Sequence, residues 1–136
     1  MSELNVFLLG QPIGKGRPRF TRSGHTYTPD KTRKYEMRLA AEGSDVMHKI
    51  GLDPVAVPCR VFVRATFQIP KSWTKKKKLQ AERREIYPKR PDADNVAKIA
   101  LDALNGVIFE DDDQVYDLRV NKAYGNNPSL SVTVYW

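Results

Sequence analysis

The sequence predicts an α+β fold, in which a small mixed β-sheet has two or three helices packed against it in a single domain of residues 1–136. A chain of 136 residues with 40% hydrophobic residues can form one core but is short for two. The Cys59–Ile69 segment alternates apolar and other residues, as a half-buried strand does. The Asp92–Asn105 segment instead repeats apolar residues at helical spacing. Strands and helices therefore share one chain, without an internal repeat or a long linker.

The first part of the chain predicts a strand, a loop and a long helix. Leu4–Leu9 is a short apolar run and indicates a first strand. Gln11–Pro29 is rich in glycine, proline, serine and threonine, which is typical of a loop. Pro29 and Asp30 then open a helix that continues to about Lys49. Its apolar anchors are Tyr35, Leu39, Val46 and Met47.

The middle of the chain predicts a strand followed by a short helix. The apolar face of the Cys59–Ile69 strand consists of Val61, Val63, Ala65, Phe67 and Ile69. Thr74 is a candidate N-cap for a short, highly charged helix that follows. Tyr87–Pro91 contains two prolines, and a residue before proline avoids the helical region, so we expect an extended lead-in there.

The last part of the chain predicts a helix and two strands. The apolar stripe of the Asp92–Asn105 helix consists of Val96, Ile99, Ala100, Ala103 and Leu104. Asn105 and Gly106 end this helix. Strands are expected at about residues 114–122 and 130–135, with a turn at residues 125–129 between them. Because the turn is short, we expect these two strands to pair as a hairpin.

Charge is strongly segregated along a chain whose formal net charge is +7. Residues 92–117 contain eight acidic residues and one lysine, a local charge of −7. Residues 71–90 contain nine basic and two acidic residues (+7), and residues 11–38 contain eight basic and two acidic residues (+6). Carboxylates bind cations, and basic segments bind phosphates. The pattern predicts a metal-dependent enzyme that acts on a polyanion.

Composition excludes several other classes of protein. Cys59 is the single cysteine, so an intrachain disulfide and a thiolate zinc site are both impossible, and a buried apolar role is favoured. His25 and His48 are isolated, so a site of the Ser–His–Asp or Cys–His kind lacks its parts. No apolar run approaches the roughly 18 residues of a membrane span, and the N-terminus lacks the basic start of a signal peptide. We therefore expect a cytoplasmic protein with no membrane partner.

The acidic segment contains the parts of a cation site with oxygen ligands. Asp92 and Asp94 are two residues apart, so their carboxylates point the same way in an extended segment and can share one cation. Residues 110–113 precede a strand and can return beside the helix to add a third carboxylate. Mg²⁺ fits, because one or two carboxylates together with water and phosphate oxygens commonly hold it. Lys98 follows Asp94 by one helical turn and can contact the phosphate oxygens.

Simpler interpretations of these residues stay open. Asp92 and Asp94 can serve only as a helix cap and as partners of the helix dipole, and an acidic run before a strand is often a solvated loop. A polar strip lies opposite the apolar stripe and consists of Asn95, Lys98, Asp102 and Asn105. Within it, Lys98 can pair with Asp94 or Asp102. An EF-hand loop and a Walker phosphate loop are excluded, because their required residues are absent.

The basic segments predict contacts with nucleic-acid phosphates. In an ordinary protein such runs are solvated faces, but beside a phosphodiesterase site phosphate contact is the better interpretation. Phe20, Tyr27 and Trp73 are candidates for stacking on bases, or else anchors of the core or of a dimer. The expected phosphate contacts are Lys15, Arg17, Arg19, Arg22, Lys75, Lys76, Lys77, Lys78, Arg83, Arg84, Lys89 and Arg90.

The most informative segment is residues 91–122, which read PDADNVAKIALDALNGVIFEDDDQVYDLRVNK. It resembles the central signature of the RusA-type Holliday junction resolvases. That signature is D-x-D-N-x-x-K, then D-A-L, then D-D-x-Q-V, then a lysine on the next strand. The matching residues are Asp92, Asp94, Asn95, Lys98, Asp102, Ala103, Leu104, Asp111, Asp112, Gln114, Val115 and Lys122. The match covers about a quarter of the chain and is far more specific than a lone DxD.

The resemblance implies a small α+β homodimer, of bacterial or phage origin, that cuts four-way DNA junctions with Mg²⁺ or Mn²⁺. Each subunit would nick one of two opposed strands. A two-fold dimer suits this task, because a junction is close to two-fold symmetric. A nuclease for flaps or forks, and a DNA-binding protein without catalysis, are the alternatives. The second is disfavoured, because a pure binder gains nothing from placing a charge of −7 beside DNA.

The resemblance also assigns roles by position. The catalytic residues it implies are Asp92, Asp94, Asp112 and Lys98. The three aspartates would bind the metal, and Lys122 would join the DNA contacts. Asp113 extends the family's pair of aspartates to three, so the third metal ligand is either Asp111 or Asp112, of which Asp112 keeps the spacing to Gln114.

Overall fold

A computed structural model describes residues 1–17 and 19–136, and in this part of the chain it shows one four-stranded sheet, one small hairpin and three α-helices. The expected α+β class with a small mixed sheet is confirmed. The elements are β1 (Glu3–Leu9), β2 (Arg19–Phe20), β3 (Thr26–Tyr27), α1 (Asp30–Ile50), β4 (Cys59–Gln68), α2 (Lys75–Glu82), α3 (Ala93–Leu104), a 3₁₀ turn (Asp112–Gln114), β5 (Val115–Gly125) and β6 (Ser129–Tyr135).

The four-stranded sheet has the order β1-β6-β4-β5. Strand β6 is antiparallel to both of its neighbours, β1 and β4, whereas β5 is parallel to β4. Parallel neighbours need a crossover connection, and residues 69–114 supply one that contains α2 and α3. The crossover places the start of β5, with the acidic turn before it, at the same end of the sheet as the start of β4.

The predicted hairpin between the last two strands is wrong. Strands β5 and β6 lie on opposite sides of β4 and do not pair with each other. The short connection at residues 126–128 instead passes the end of β4. The turn residues there correctly indicated a change of direction. They could not indicate which strands pair. The pairing is decided by the long apolar strand β4, which has β6 at one edge and β5 at the other.

The loop predicted at Gln11–Pro29 contains a small hairpin, formed by β2 and β3. The amide of Thr21 donates a hydrogen bond to the carbonyl of His25 at 2.8 Å, and the amide of His25 donates to Thr21 Oγ1 at 3.1 Å. Strands of two residues are too short to show an alternating pattern, so they were not predicted.

The predicted apolar faces form the core. Alternate residues of β4 are buried, and so is the whole apolar stripe of α3. Helix α1 packs against α3 and β1, while α3 also contacts β4 and β5. Thr74 caps α2 as predicted, since its Oγ1 accepts a hydrogen bond from the amide of Lys77 at 3.2 Å. Cys59 is completely buried, and burial raises the pKa of its thiol, as expected for an apolar role.

Two helices meet closely at Gly43 of α1. A Cβ added there would lie 2.9 Å from Leu104 Cδ2 and 3.3 Å from Val107 Cγ1, closer than ordinary van der Waals contact. The absence of a side chain at this position lets α1 approach the C-terminal end of α3. In the described part of the chain, no helix combines the length and the apolar character that crossing a membrane requires.

We expect Gly43→Val to lower the free energy of unfolding by about 1–3 kcal/mol, because the added methyl groups overpack the contact between α1 and α3. The control is Ser44→Val, which introduces the same residue at the next, exposed position of α1. Urea denaturation of both variants measures the effect. An equal loss in the two variants would mean that the β-branched residue, and not the helix contact, is responsible.

Candidate active site

The first two candidate ligands lie at the N-terminal end of α3. Asp92 is the N-cap residue of this helix, yet its side chain makes no capping hydrogen bond, and Asp94 lies in the first turn. Both residues are exposed. The helix dipole favours negative charge at this end. The carboxylate of Asp92 therefore lies at the start of α3 but does not cap the helix.

The 3₁₀ turn before β5 is fixed by Asp111 and Gln114. The carboxylate of Asp111 accepts a hydrogen bond from the amide of Asp113 at 3.2 Å, and the amide of Asp111 donates to Gln114 Oε1 at 2.8 Å. The side-chain amide nitrogen of Gln114, Nε2, also donates hydrogen bonds to the backbone carbonyls of Val55 and Val57, at 2.7 and 2.9 Å. Asp111 and Gln114 therefore have a structural role, which holds the acidic turn against the segment before β4.

Asp112 lies among other acids. Partial burial, a hydrogen bond with Asp111 and the charges of Asp111, Asp102 and Asp113 raise the pKa of Asp112 above its usual range. Asp102 comes from the polar strip of α3, so the fold brings that strip beside the acidic turn. The sequence placed Asp102 in the strip but did not assign it to the site. Its helical spacing from Lys98 and its place in the family signature were the available signals.

Lys15 is held inside the protein by two acids. Its ammonium forms ion pairs with Glu36 of α1 and, at 3.1 Å, with Asp102 of α3, and its side chain is only 15% exposed. Burial alone lowers the pKa of Lys15, but hydrogen bonds and charge attraction from Glu36 and Asp102 outweigh it, so the net shift is upward. Lys15 therefore stays charged and joins the N-terminal loop to both helices.

The loop of residues 11–17 is tightly packed on the start of α3. The amide of Lys15 donates to the carbonyl of Asn95 at 2.9 Å. A Cβ on Gly14 would lie 2.6 Å from Pro91 Cβ and 3.1 Å from Asn95 Cβ, so only glycine allows this approach. A cleft of about 730 Å³ opens beside this contact. Its charged lining residues are Arg17, Lys31, Arg90 and Asp92.

Lys122 of β5 points at the segment that leads into α3. Its ammonium donates to the carbonyl of Pro91 at 2.9 Å and to the carbonyl of Lys89 at 3.3 Å. Both acceptors belong to the chain immediately before Asp92. Lys122 is thus engaged within the protein, as Lys15 is, and not freely presented to solvent.

Most of the other predicted phosphate contacts are exposed. Exposed side chains are those of Arg17, Arg22, Lys75, Lys76, Lys77, Arg83, Arg84, Lys89 and Arg90, while Lys78 is partly buried. The side chain of Arg19 lies outside the described part of the structure. Lys98 is exposed, and in the described residues it forms no ion pair with Asp94 or Asp102.

The three candidate aromatic residues differ in their surroundings. Trp73 packs edge-on against Tyr124 with ring centroids 5.1 Å apart, and the ammonium of Lys77 lies 4.1 Å from its ring centre. Trp73 is therefore an anchor that attaches α2 to β5. Phe20 and Tyr27 of the small hairpin are 73% and 48% exposed, which leaves them available for stacking.

A divalent cation suits the chemistry of the acidic turn, although the ligand set is not assembled. Asp112 is close to three other acids, and their mutual repulsion is what a bound cation relieves. Among the residues that the structure describes, no group of three or more Asp, Glu, His or Cys side chains is arranged to hold a metal ion. Asp92, Asp94 and Asp112 are thus not drawn together into such a group.

Comparison with known proteins assigns the chain to a family. The family model described as endodeoxyribonuclease RusA matches residues 10–135. The chain belongs to the RusA endodeoxyribonuclease family. The uncharacterized protein YqaN of Bacillus subtilis (strain 168) is 35% identical over 139 residues, which cover 98% of this chain and 96% of that protein. The resemblance of residues 91–122 to the RusA signature is confirmed, and it extends to nearly the whole chain.

The RusA family is a family of nucleases of the Holliday junction resolvase type, and the chain is a member of it. It also gives a context for the geometry of the signature residues. Gln114 and Asp111 fix the acidic turn, and Lys122 holds the segment before Asp92. Several residues of this signature therefore build the frame around the carboxylates.

We expect Lys15→Met to lower the free energy of unfolding by about 1–3 kcal/mol, because Glu36 and Asp102 lose their shared partner. Arg17→Met is the matched control. It removes the same charge from an exposed side chain that lies two residues further along the chain. The free energy of unfolding should therefore change by less than about 0.5 kcal/mol. Chemical denaturation measures both. Unchanged stability of Lys15→Met, with weaker DNA binding, would make Lys15 a phosphate contact instead.

We expect Asp112→Asn to raise the thermal midpoint of the metal-free protein at neutral pH. The pKa of Asp112 is higher in the folded protein than in the unfolded chain, where an aspartate has a pKa of about 3.9. Ionisation of Asp112 therefore lowers the free energy of unfolding at pH values above about 3.9. The gain should disappear as the pH falls below that value, where Asp112 is neutral in both states. The control is Asp53→Asn, which removes an exposed acid that forms no ion pair in the described part of the chain. A lower midpoint for Asp112→Asn at neutral pH would contradict the proposed crowding.

Proposed function

We propose that this RusA-family protein is a metal-dependent endonuclease that resolves four-way DNA junctions by paired, symmetric nicks. The observation that carries the proposal is the match of the RusA family model to residues 10–135. The raised pKa of Asp112, which lies among the acids Asp102, Asp111 and Asp113, supports it. A crowded acid costs stability and is useful when a cation binds to it. The family supplies the class of substrate.

The residues that would hold Mg²⁺, or Mn²⁺ in its place, are Asp92, Asp94 and Asp112. When bound, the cation neutralises charge on the phosphate and lowers the pKa of a bound water so that hydroxide forms. Asp112 is a better third ligand than Asp111, because the Asp111 carboxylate already caps the 3₁₀ turn. The Asp92 carboxylate has no competing role as a cap.

Lys98 has the position of a group that acts on the phosphate. It lies one helical turn beyond Asp94, is exposed, and in the described structure pairs with neither Asp94 nor Asp102. An unpaired ammonium beside the carboxylates can hold a non-bridging oxygen and stabilise the charge that develops there. The simpler interpretation, in which Lys98 only pairs with a helix neighbour, loses its support.

DNA would approach across the two exposed basic regions. One is the loop and cleft beside α3, which present Arg17, Lys31 and Arg90, and the other is α2 with its run of lysines. Each Lys or Arg that neutralises a phosphate releases counterions, so affinity should fall steeply with salt. We further propose that two copies of the chain act together, because two opposed cuts need two sites and a junction is nearly two-fold symmetric.

The test is cleavage of a labelled synthetic four-way junction, with linear duplex, flap and fork substrates alongside, in Mg²⁺ or EDTA. Symmetric paired nicks confined to the junction, and lost in EDTA, are the expected result. Preferred cutting of flaps or forks would mean that the protein is a metal-dependent nuclease whose substrate is not the four-way junction. Tight junction binding without cutting in Mg²⁺ or Mn²⁺ would overturn the nuclease proposal in favour of a binding protein.

We expect Asp92→Asn and Asp112→Asn each to reduce junction cleavage by at least about 100-fold, because each removes a proposed metal ligand. Junction binding in EDTA should be unchanged or tighter, since each variant also removes a repulsive charge. Asp45→Asn, which removes the same charge from the exposed surface of α1, should cut normally. Cleavage and binding assays together measure the effect. Parallel loss of both activities would indicate damage to the fold.

We expect Lys98→Ala to lower the cleavage rate on bound junction much more than the affinity for it, by about 10²-fold or more. Lys76→Ala, which removes an exposed lysine of α2, is the control and should affect binding more than rate. Single-turnover kinetics at saturating enzyme separates the two quantities. Comparable losses in rate and affinity for Lys98→Ala would demote Lys98 to an ordinary phosphate contact.

A further inference from the structure

Lys122 has two acceptors, and both are backbone carbonyls. The ammonium lies 2.9 Å from the oxygen of Pro91 and 3.3 Å from the oxygen of Lys89. Lys122 pairs in register with Ala65 of β4, a residue that is 1% exposed and faces the helices. Its side chain therefore runs from the helix side of the sheet towards the start of α3, where Asp92 is the N-cap.

The segment held by Lys122 has little other support from hydrogen bonds. In the described part of the chain, residues 86–91 form no backbone–backbone hydrogen bond, and backbone pairing resumes with the carbonyl of Asp92. Gly14 packs on Pro91 from the opposite loop, but that contact is apolar. The two bonds from Lys122 are thus the polar attachment of this segment to the sheet.

We propose that Lys122 is a positioning residue: its ammonium ties the chain at Lys89–Pro91 to β5 and so sets the place of the Asp92 carboxylate for the metal. This inference rests on the proposed function, in which Asp92 is a metal ligand. It also replaces the expectation that Lys122 contacts DNA. A charged donor forms a stronger hydrogen bond to a carbonyl than a neutral donor does, which makes lysine an effective clamp here.

Removing a group that hydrogen-bonds a metal ligand typically weakens metal affinity by about 10- to 100-fold. Lys122 acts one step further away, through the backbone that precedes Asp92, so we expect a loss near the lower end of this range. A phosphate contact behaves differently: its loss weakens DNA binding at every metal concentration and reduces the salt dependence. Metal affinity and DNA affinity therefore distinguish a positioning role from a DNA-contact role.

The first experiment compares Lys122→Met with Arg119→Met. Arg119 lies on the same strand and carries the same charge, but its side chain is 69% exposed. We expect Lys122→Met to weaken Mn²⁺ binding, measured by calorimetry on the DNA-free protein, by about tenfold or more. Junction affinity in EDTA should stay within about twofold of the unmodified protein, and Lys122→Arg should restore most of the Mn²⁺ affinity. Unchanged Mn²⁺ affinity with weaker junction binding would overturn the proposal.

A second experiment uses the unmodified protein and so does not depend on whether a variant folds. Lysine acetylation, followed by mass spectrometry, compares Lys122 with Lys76 in the free and junction-bound protein. We expect Lys122 to react slowly in both states, and Lys76 to react quickly until junction is added. Fast reaction of Lys122 in the free protein, with protection only by junction, would show that it is a DNA contact.

The outcomes also separate this inference from the proposed function. If the unmodified protein binds Mn²⁺ but cuts no branched DNA, the nuclease proposal fails, while the effect of Lys122→Met on Mn²⁺ affinity still tests the clamp. If the unmodified protein cuts junctions and Lys122→Met binds Mn²⁺ normally, the clamp fails and the nuclease proposal stands.

Discussion

The parallel pairing of β5 with β4 is the constraint on which the rest of the structure depends. A parallel pair requires a long crossover, and here the crossover carries both α2 and α3. The pairing sets the acidic turn at the start of β5, within reach of Asp102 on α3. Farther along the same strand, it places Lys122 opposite Ala65 and behind the start of α3. One strand thus carries the supports for both halves of the candidate site.

The distribution of charge has two parts with different roles. Lys15 and Lys122 are engaged with acids or carbonyls inside the protein, and they join the N-terminal loop and the sheet to α3. Three of the four lysines of α2, which are Lys75, Lys76 and Lys77, are exposed, and so are the arginines near the cleft, so they can meet a polyanion. A count of basic residues therefore exceeds the number of basic side chains that are exposed and without a partner in the protein. The internal lysines matter because they hold the acidic elements in place.

The acidic turn holds Asp112 among like charges, at a cost in stability. Hydrogen bonds of Asp111 and Gln114 hold the backbone of the turn. Asp112 is consequently held among like charges, and its pKa is raised. Repulsion that destabilises the free protein becomes useful when a cation neutralises it. The local hydrogen bonds of the turn therefore bear on the nuclease chemistry proposed for this protein.

The sequence by itself determined the fold class, the approximate bounds of α1, α3 and β4, the start of α2, and the family. These features depend on local patterns: apolar spacing, a threonine cap at Thr74, and an ordered signature in residues 91–122. The tertiary structure alone decided that β5 pairs with β4 and not with β6, and that Lys15 and Lys122 point inward. It also decided that Asp102 joins the acids around Asp112. Strand partners and side-chain partners far apart in the chain are chosen by the packing of the whole core, and no local pattern records that choice.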